Sequence, residues 1–217
     1  KIQCKLTGTA GQSFGAFLSN NIELRLKGLA NDYVGKSMSS GIISVRMHEK
    51  LRNKSTKNSL IGNVALYGAT GGELYVEGKG GERFAVRNSG ASAVIEGIGN
   101  HGCEYMSQGT IVILGIIGKN FGAGMTGGVA FIYNKKRLLR NYLNHDFVFE
   151  TNIDTKKDEN IILDILRRHI FNTNSKLGIK ILKNWLSEKG NFKKIIPKAI
   201  KKLKIESIYD SHTSNRS

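Results

Sequence analysis

Four short stretches decide the fold: Gly72-Glu-Leu-Tyr-Val76, Gly90-Ala-Ser-Ala-Val-Ile95, Gly109-Thr-Ile-Val-Ile-Leu114 and Gly128-Val-Ala-Phe-Ile-Tyr133. Each begins with glycine and continues as a β-rich apolar run, and the marker glycines are 18, 19 and 19 residues apart. Gly41-Ile-Ile-Ser-Val45 fits the same frame, and Asn21-Ile-Glu-Leu-Arg-Leu26 lies one period earlier. The step from Gly41 to Gly72 is 31, which is one period plus a polar insert at His48 to Lys57. One apolar run per short period is the mark of a solenoid, whose units bury their apolar faces only by stacking.

The period also fixes a cross-section. About 19 residues at roughly 3.3 Å each give a perimeter near 60 Å, or about 20 Å for each of three faces. That size predicts a parallel β-helix. Each period is expected to hold a short apolar strand, a glycine-rich corner and another short strand. Glycine suits the corners because positive φ costs it little. Ile43, Leu74, Val94, Val112 and Phe131 are the expected inward stack.

The glycines also mark an organisational boundary. Of 26, all but Gly178 and Gly190 precede residue 134. Residues 1–150 are therefore expected to form the β-helix, and residues 151–217 a basic helical tail packed on or beside it. In the tail Ile161, Ile165, Leu166, His169 and Ile170 recur at helical spacing, with Asp158 or Asn160 placed to cap the start. Leu177, Ile181, Trp185 and Leu186 form a second stripe that ends near Gly190. Lysines alternate with isoleucines from Phe192 towards Ile208. A tail folded over one end of the solenoid would cover its unpaired backbone.

The chain carries net charge +16, with 14 basic and 8 acidic residues up to Tyr133 and 19 and 9 beyond it. The larger share of the excess, +10 against +6, lies beyond Tyr133, where a solvated basic surface is preferred to a nucleic-acid patch. No run of apolar residues is long enough for a transmembrane helix, and the start Lys1-Ile-Gln-Cys-Lys-Leu6 does not resemble a signal peptide. A start at lysine suggests a piece of a longer chain. Two cysteines, Cys4 and Cys103, are too few for a disulfide framework and fit a reducing, cytoplasmic setting.

Several motifs carry possible chemistry. Gly122-Ala-Gly-Met-Thr-Gly127 has the dinucleotide spacing, with Asp146 near the distance of a ribose-binding acid. That chemistry needs a helix after the loop, and Val129 to Tyr133 reads as a strand. Gly68-Ala-Thr-Gly-Gly72 fails likewise. His101-Gly-Cys103-Glu104 gathers three potential ligands, but neighbours in a tight loop rarely converge on one ion, so a structural loop is expected. His48, His145, His169 and His212 are scattered. Glu82, Arg83, Arg87 and Glu96 are expected around one set of corners, as ion pairs that fix coil register. No serine–histidine–acid or cysteine–histidine spacing stands out, although spacing alone leaves a triad open. No residue is assigned a catalytic, cofactor-binding or metal-binding role.

Longer motifs name a family. Gly11-Gln-Ser-Phe-Gly-Ala-Phe17, Gly28-Leu-Ala-Asn-Asp-Tyr-Val-Gly-Lys36, Ile61-Gly-Asn-Val-Ala-Leu-Tyr-Gly-Ala-Thr-Gly-Gly72 and Gly81-Glu-Arg-Phe-Ala-Val-Arg-Asn-Ser-Gly-Ala91 resemble the C-terminal domain of the glutamate synthase large subunit. Glu96-Gly-Ile-Gly-Asn-His-Gly-Cys-Glu-Tyr-Met106 and Asn120-Phe-Gly-Ala-Gly-Met-Thr-Gly-Gly-Val-Ala130 do so too. In the tail, Ile162-Leu-Asp-Ile-Leu-Arg-Arg-His169 and Phe192-Lys-Lys-Ile-Ile-Pro197 look like that subunit's end. The resemblance implies a right-handed parallel β-helix at the end of an oxidoreductase that makes glutamate from 2-oxoglutarate and glutamine. It implies an amidotransferase domain, an FMN and an iron–sulfur cluster, all in parts absent from this chain. The implied role is a structural domain that holds those parts together, as a fragment or a separate subunit. Activity of the chain by itself is left open. The alternative is a repurposed basic module that contacts nucleic acid.

Overall fold

The computed structural model describes residues 1–49, 58–135 and 139–200. Seven strands follow one another in chain order and pair in parallel: β1 (Ile2–Thr9), β2 (Ile22–Leu29), β3 (Ile42–Arg46), β4 (Glu73–Val76), β5 (Ser89–Ile95), β6 (Gln108–Ile113) and β7 (Val129–Tyr133). Each strand lies one coil above its predecessor, so the apolar runs that repeat in sequence become a stacked wall. The architecture is a parallel β-solenoid, as the period predicts.

Side chains alternate across this wall, and both of its faces are buried. The inward columns are Ile43, Leu74, Ala93, Ile111 and Ala130, and Val45, Val76, Ile95, Ile113 and Ile132. From Leu74 onward large and small residues alternate down the first column, which lets adjacent coils interdigitate. Tyr75, Val94, Val112 and Phe131 form the outward column. The expected inward stack thus mixed two faces: Ile43 and Leu74 point in, whereas Val94, Val112 and Phe131 point out. When consecutive positions are all apolar, periodicity cannot tell one face from the other. A bulge between Ser89 and Ser92 also puts an extra residue in β5, so Ala91 and not Gly90 is level with Gly109.

The side of the coil between strands differs from the expected glycine corner and second strand. It is a ribbon in which every second residue has a positive φ: Ser13, Gly15 and Phe17, then Tyr33, Gly35 and Ser37, Val64, Leu66 and Gly68, and so on to Asn120, Gly122 and Gly124. Most of these residues carry a Cβ, including the β-branched Val64 at φ 61°. Their N–H groups bond between coils in alternating directions. Val64 N–H donates forward to Glu82 O (2.8 Å), and Leu66 N–H donates back to Val34 O (2.8 Å). The same pair of bonds recurs at Arg83 and Ala85, and at His101 and Cys103. Inter-coil hydrogen bonds thus offset the cost of left-handed backbone at non-glycine residues.

Beside the ribbon runs a ladder of polar side chains. Asp32 Oδ1 accepts from Asn63 N–H (2.7 Å), Asn63 Oδ1 from Glu82 N–H (2.8 Å), and Asn100 Oδ1 from Lys119 N–H (2.8 Å). Glycine precedes each of the later rungs because the coils touch there: a Cβ on Gly81 or Gly118 would collide with the coil beneath.

The tail contributes both strands and helices. β9 (Phe192–Pro197) pairs antiparallel with β7, and β8 (Val148–Thr151) pairs antiparallel with β9. These two strands cover the open edge of the last coil, where a helical cover was expected. The helices α1 (Lys156–Thr173), α2 (Lys176–Lys183) and α3 (Trp185–Glu188) lie on the outward column instead. Ile162, Ile165 and Leu166 of α1 are buried against Tyr75, Val94, Val112 and Phe131, at about 1.5–3 kcal/mol for each aliphatic side chain. Thr155, and neither Asp158 nor Asn160, caps α1: its side chain accepts from Asp158 N–H at 3.1 Å. The αL residue Asn174 ends the helix, and Ser175 caps α2. The part of the lysine–isoleucine segment beyond residue 200 lies outside the described residues.

Candidate functional site

The glycine motif at Gly122 to Gly127 lies in the last ribbon and leads into β7, so no helix N-terminus faces it. Its glycines answer to coil packing. A Cβ at Gly122 would lie 2.7 Å from Val148 Cγ1, and one at Gly124 would lie 2.5 Å from the Tyr105 ring. The sequence Gly68 to Gly72 is likewise a ribbon exit, where a Cβ on Gly72 would come 2.8 Å from Ser40 O.

The ribbon geometry separates the three candidate ligands at His101, Cys103 and Glu104. Cys103 points into the core with no exposure, and burial pushes its thiol pKa upward. His101 and Glu104 point outward together, with Nδ1 and Oε1 2.6 Å apart. Asn120 Nδ2 donates to the same carboxylate oxygen (3.0 Å), and Asn144 Nδ2 donates to Asn120 Oδ1 (2.7 Å). Among the described residues no group of three or more His, Cys, Asp or Glu side chains could hold a metal ion. An iron–sulfur cluster does not fit either. Cys4 is in the first coil and Cys103 in the fifth, about 19 Å away at about 4.8 Å per coil.

The other histidines do not converge. His145 Nε2 lies 2.7 Å from Arg140 O, His169 is a buried residue of α1, and His212 lies outside the described residues. Nor do Glu82, Arg83, Arg87 and Glu96 form ion pairs with one another among the described residues. Glu82 Oε1 accepts from Asn100 Nδ2 (3.0 Å), Arg83 and Arg87 are exposed, and Glu96 is buried beneath the helices. The polar ladder does the work expected of them.

Sequence reasoning missed the polar contacts that join the helices to the solenoid. Ser175 Oγ donates to Glu96 Oε1 and accepts from Gly178 N–H (2.9 Å), while His169 Nε2 lies 3.9 Å from the same carboxylate. Serine, histidine and acid are therefore close, but the hydroxyl is bonded to the carboxylate and not to the imidazole. All three residues have no exposure to speak of, so this is a fastening and not a nucleophile.

Further out, Arg168 of α1 bridges Glu73 and Asp164, and Tyr75 O–H donates to Glu73 Oε2 at 2.6 Å. Burial, then the Glu73 hydrogen bond, pushes the Tyr75 pKa upward. Tyr133 O–H donates to Glu188 (2.5 Å), and Lys194 reaches both oxygens of Asp158 at 2.8 and 3.0 Å. A cleft of about 460 Å³ runs past the starts of β2 to β5, lined in part by Asn21, Glu23, Ser40, Glu73 and Ser92. Both of its carboxylates are already engaged. Lys1 (2.5 Å), Gln3 (2.7 Å) and Arg25 (3.2 Å) surround Glu23 and hold its pKa down at about 2.

A stacked parallel coil with left-handed ribbons and inter-coil glycines defines a parallel β-solenoid. The chain belongs to the GXGXG motif family, which matches residues 1–198. It is 45% identical over 203 residues to the glutamate synthase [NADPH] large chain of Bacillus subtilis (strain 168), covering 93% of this chain and 13% of that relative. It is also 45% identical over 196 residues to the ferredoxin-dependent glutamate synthase of Antithamnion sp., covering 90% of this chain and 13% of the relative. Identity is 41% over 200 residues to the glutamate synthase [NADH] of Schizosaccharomyces pombe, covering 92% of this chain and 10% of that one. The chain thus spans about an eighth of the length of the first two relatives and a tenth of the third. Among the described residues no helix is long and apolar enough to cross a membrane.

Proposed function

We propose that this chain is the structural β-helix domain of a glutamate synthase, acting as a brace for other domains or subunits rather than as a reaction centre. In this reading it holds a glutamine-hydrolysing part and a flavin-bearing part in fixed relation, so that ammonia released at one is consumed at the other. FMN and the iron–sulfur cluster belong to those parts. The observation that carries the reading is the identity along nine-tenths of the chain to glutamate synthases of which the matched part is only 10–13%. The hydrogen bonds and ion pairs that both cleft carboxylates make within the chain support it.

Affinity isolation of the tagged chain from its own cells tests this. Recovery with a polypeptide that carries flavin absorbance is the expected result, and a partnerless monomer in those cells would sink the proposal. Nucleic-acid binding by the basic tail is less well supported. Lys135, Lys189 and Lys194 are already paired with Glu188, Glu159 and Asp158. Its test is salt-sensitive DNA affinity lost on deleting residues 201–217, a cut that leaves β9 intact.

A further inference from the structure

We infer that the outer face of the ribbon at Arg83, Arg87, His101 and Tyr105 is a docking surface for an acidic polypeptide segment, one that presents aspartate or glutamate carboxylates. This rests on the reading of the chain as a brace for other polypeptide parts.

The backbone supplies the first observation. Every ribbon has three left-handed positions, and glycine occupies at least one of them in four of the six ribbons. The exceptions are Arg83, Ala85 and Arg87, and their neighbours His101, Cys103 and Tyr105. Glycine is tolerated at the third position, since Gly68 precedes Arg87 and Gly124 follows Tyr105 in that column. Arg87 and Tyr105 therefore keep large side chains at a left-handed position that Gly68 and Gly124 occupy in the flanking ribbons, and such positions are retained where a side chain is needed for function.

The second observation is how these side chains are held. Arg83 N–H bonds to Asn100 O (2.8 Å) and Arg87 N–H to Glu104 O (2.9 Å), which puts Arg83 level with His101 and Arg87 level with Tyr105. Glu104 Oε1 (2.6 Å) and Asn120 Nδ2 (3.3 Å) both lie against His101 Nδ1 and fix the ring. The Tyr105 ring lies against the Gly124 backbone yet remains 60% exposed. An aromatic ring fixed before contact loses little freedom on binding. The Arg83 and Arg87 guanidinium groups have no hydrogen-bond or ion-pair partner among the described residues, and Glu104 is already engaged by His101 and Asn120. Two free guanidinium forks beside a rigid tyrosine match carboxylates in a protein partner, because arginine and tyrosine dominate such contacts. Exposed Glu82 beside Arg83, and Glu104 within the patch, interrupt the positive charge. That interruption disfavours a phosphate backbone, which calls for an unbroken basic stripe.

The test is titration of the full chain with a random glutamate–tyrosine copolymer at about 0.15 M salt, read by amide NMR shifts and by affinity. Shifts centred on residues 83–87 and 101–105 are expected. R83Q/R87Q should weaken binding about ten-fold, equivalent to 1.4 kcal/mol, and Y105A several-fold, while K201Q/K202Q/K204Q leaves it unchanged. Unaltered affinity in R83Q/R87Q with a native melting curve, or shifts confined to the tail, overturns the proposal. So does a single-stranded oligonucleotide that binds this face more tightly than the copolymer. If R83Q/R87Q still co-isolates with the flavin polypeptide as wild type does, the surface is wrong and the brace stands. If wild type isolates alone while the copolymer effect holds, the brace fails and the surface stands.

Discussion

Ser175, the cap of α2, donates its hydroxyl hydrogen bond to Glu96, which directly follows β5 and lies 79 positions earlier, and both residues are buried. This carboxylate therefore fastens the helical layer to the solenoid, with His169 Nε2 3.9 Å from the same oxygen. Glu96→Ala removes the acceptor for Ser175 and leaves buried polar groups and a void, at a cost of about 3 kcal/mol. Glu96→Gln keeps an acceptor and should lose about 1 kcal/mol. Urea unfolding at neutral pH distinguishes them. Equal, small losses for the two variants would show that the contact is incidental.

Valine at Gly90 or Gly109 should be strongly destabilising, although neither residue is at a corner. Both lie in strands, where a Cβ would collide with Thr70 O or Ala91 O respectively, and Gly109 also has φ +100°. Backbone cannot yield as a flexible side chain would, so each change should cost more than about 3 kcal/mol or prevent folding. Gly190 has nothing within 4 Å of its Cβ position, and Gly190→Ala should stay within about 0.5 kcal/mol of wild type. Thermal melts of the three variants give the comparison. A near-native melt for Gly109→Val would refute the coil register.

The wall of strands was legible because Gly41, Gly72, Gly109 and Gly128 recur at the coil period and each precedes an apolar run. The ribbons were not. Val64, Leu66, Arg83 and Tyr105 have no intrinsic leaning to positive φ, and only bonds to neighbouring coils hold them there. The two faces of the wall looked alike because α1 makes the outer one as apolar as the inner. In the candidate sites, the pairing of His101 with Glu104 was not legible, because it depends on which ribbon positions face outward. The link from Glu96 to Ser175 had no local signal, since it joins residues from separate parts of the repeat and the tail. Capping was nearly right: a polar residue was sought at the start of α1, and the apolar stripe placed it a few residues late.

That last point can be tested directly. Thr155 has extended backbone (φ −116°, ψ 145°), and its side chain satisfies Asp158 N–H. Thr155→Ala should lower stability by about 1 kcal/mol. Asn160 is exposed within the second turn of α1, and Asn160→Ala should be neutral or slightly stabilising because alanine is the better helix former. A larger loss at Asn160 than at Thr155, measured by urea midpoints, would move the start of the helix.

Glu23 should give the first coils an acid-sensitive component of stability. Hydrogen bonds from Lys1 and then Gln3 outweigh burial and lower its pKa from 4.5 to about 2. A carboxylate whose pKa is depressed by folding adds stability that is fully present above its unfolded value. That stability declines as pH falls from 4.5 towards 2, because the unfolded chain takes up the proton first. Lys1 is 65% exposed, so solvent and salt screen much of the attraction. The effect should be on the order of 1 kcal/mol, and smaller again at high salt. Glu23→Gln removes the titrating group while keeping a polar side chain of the same length. The stability gap between wild type and this variant should therefore close between pH 4.5 and 2. Curves that run parallel through that window would show that Glu23 is not held by its neighbours in the folded protein.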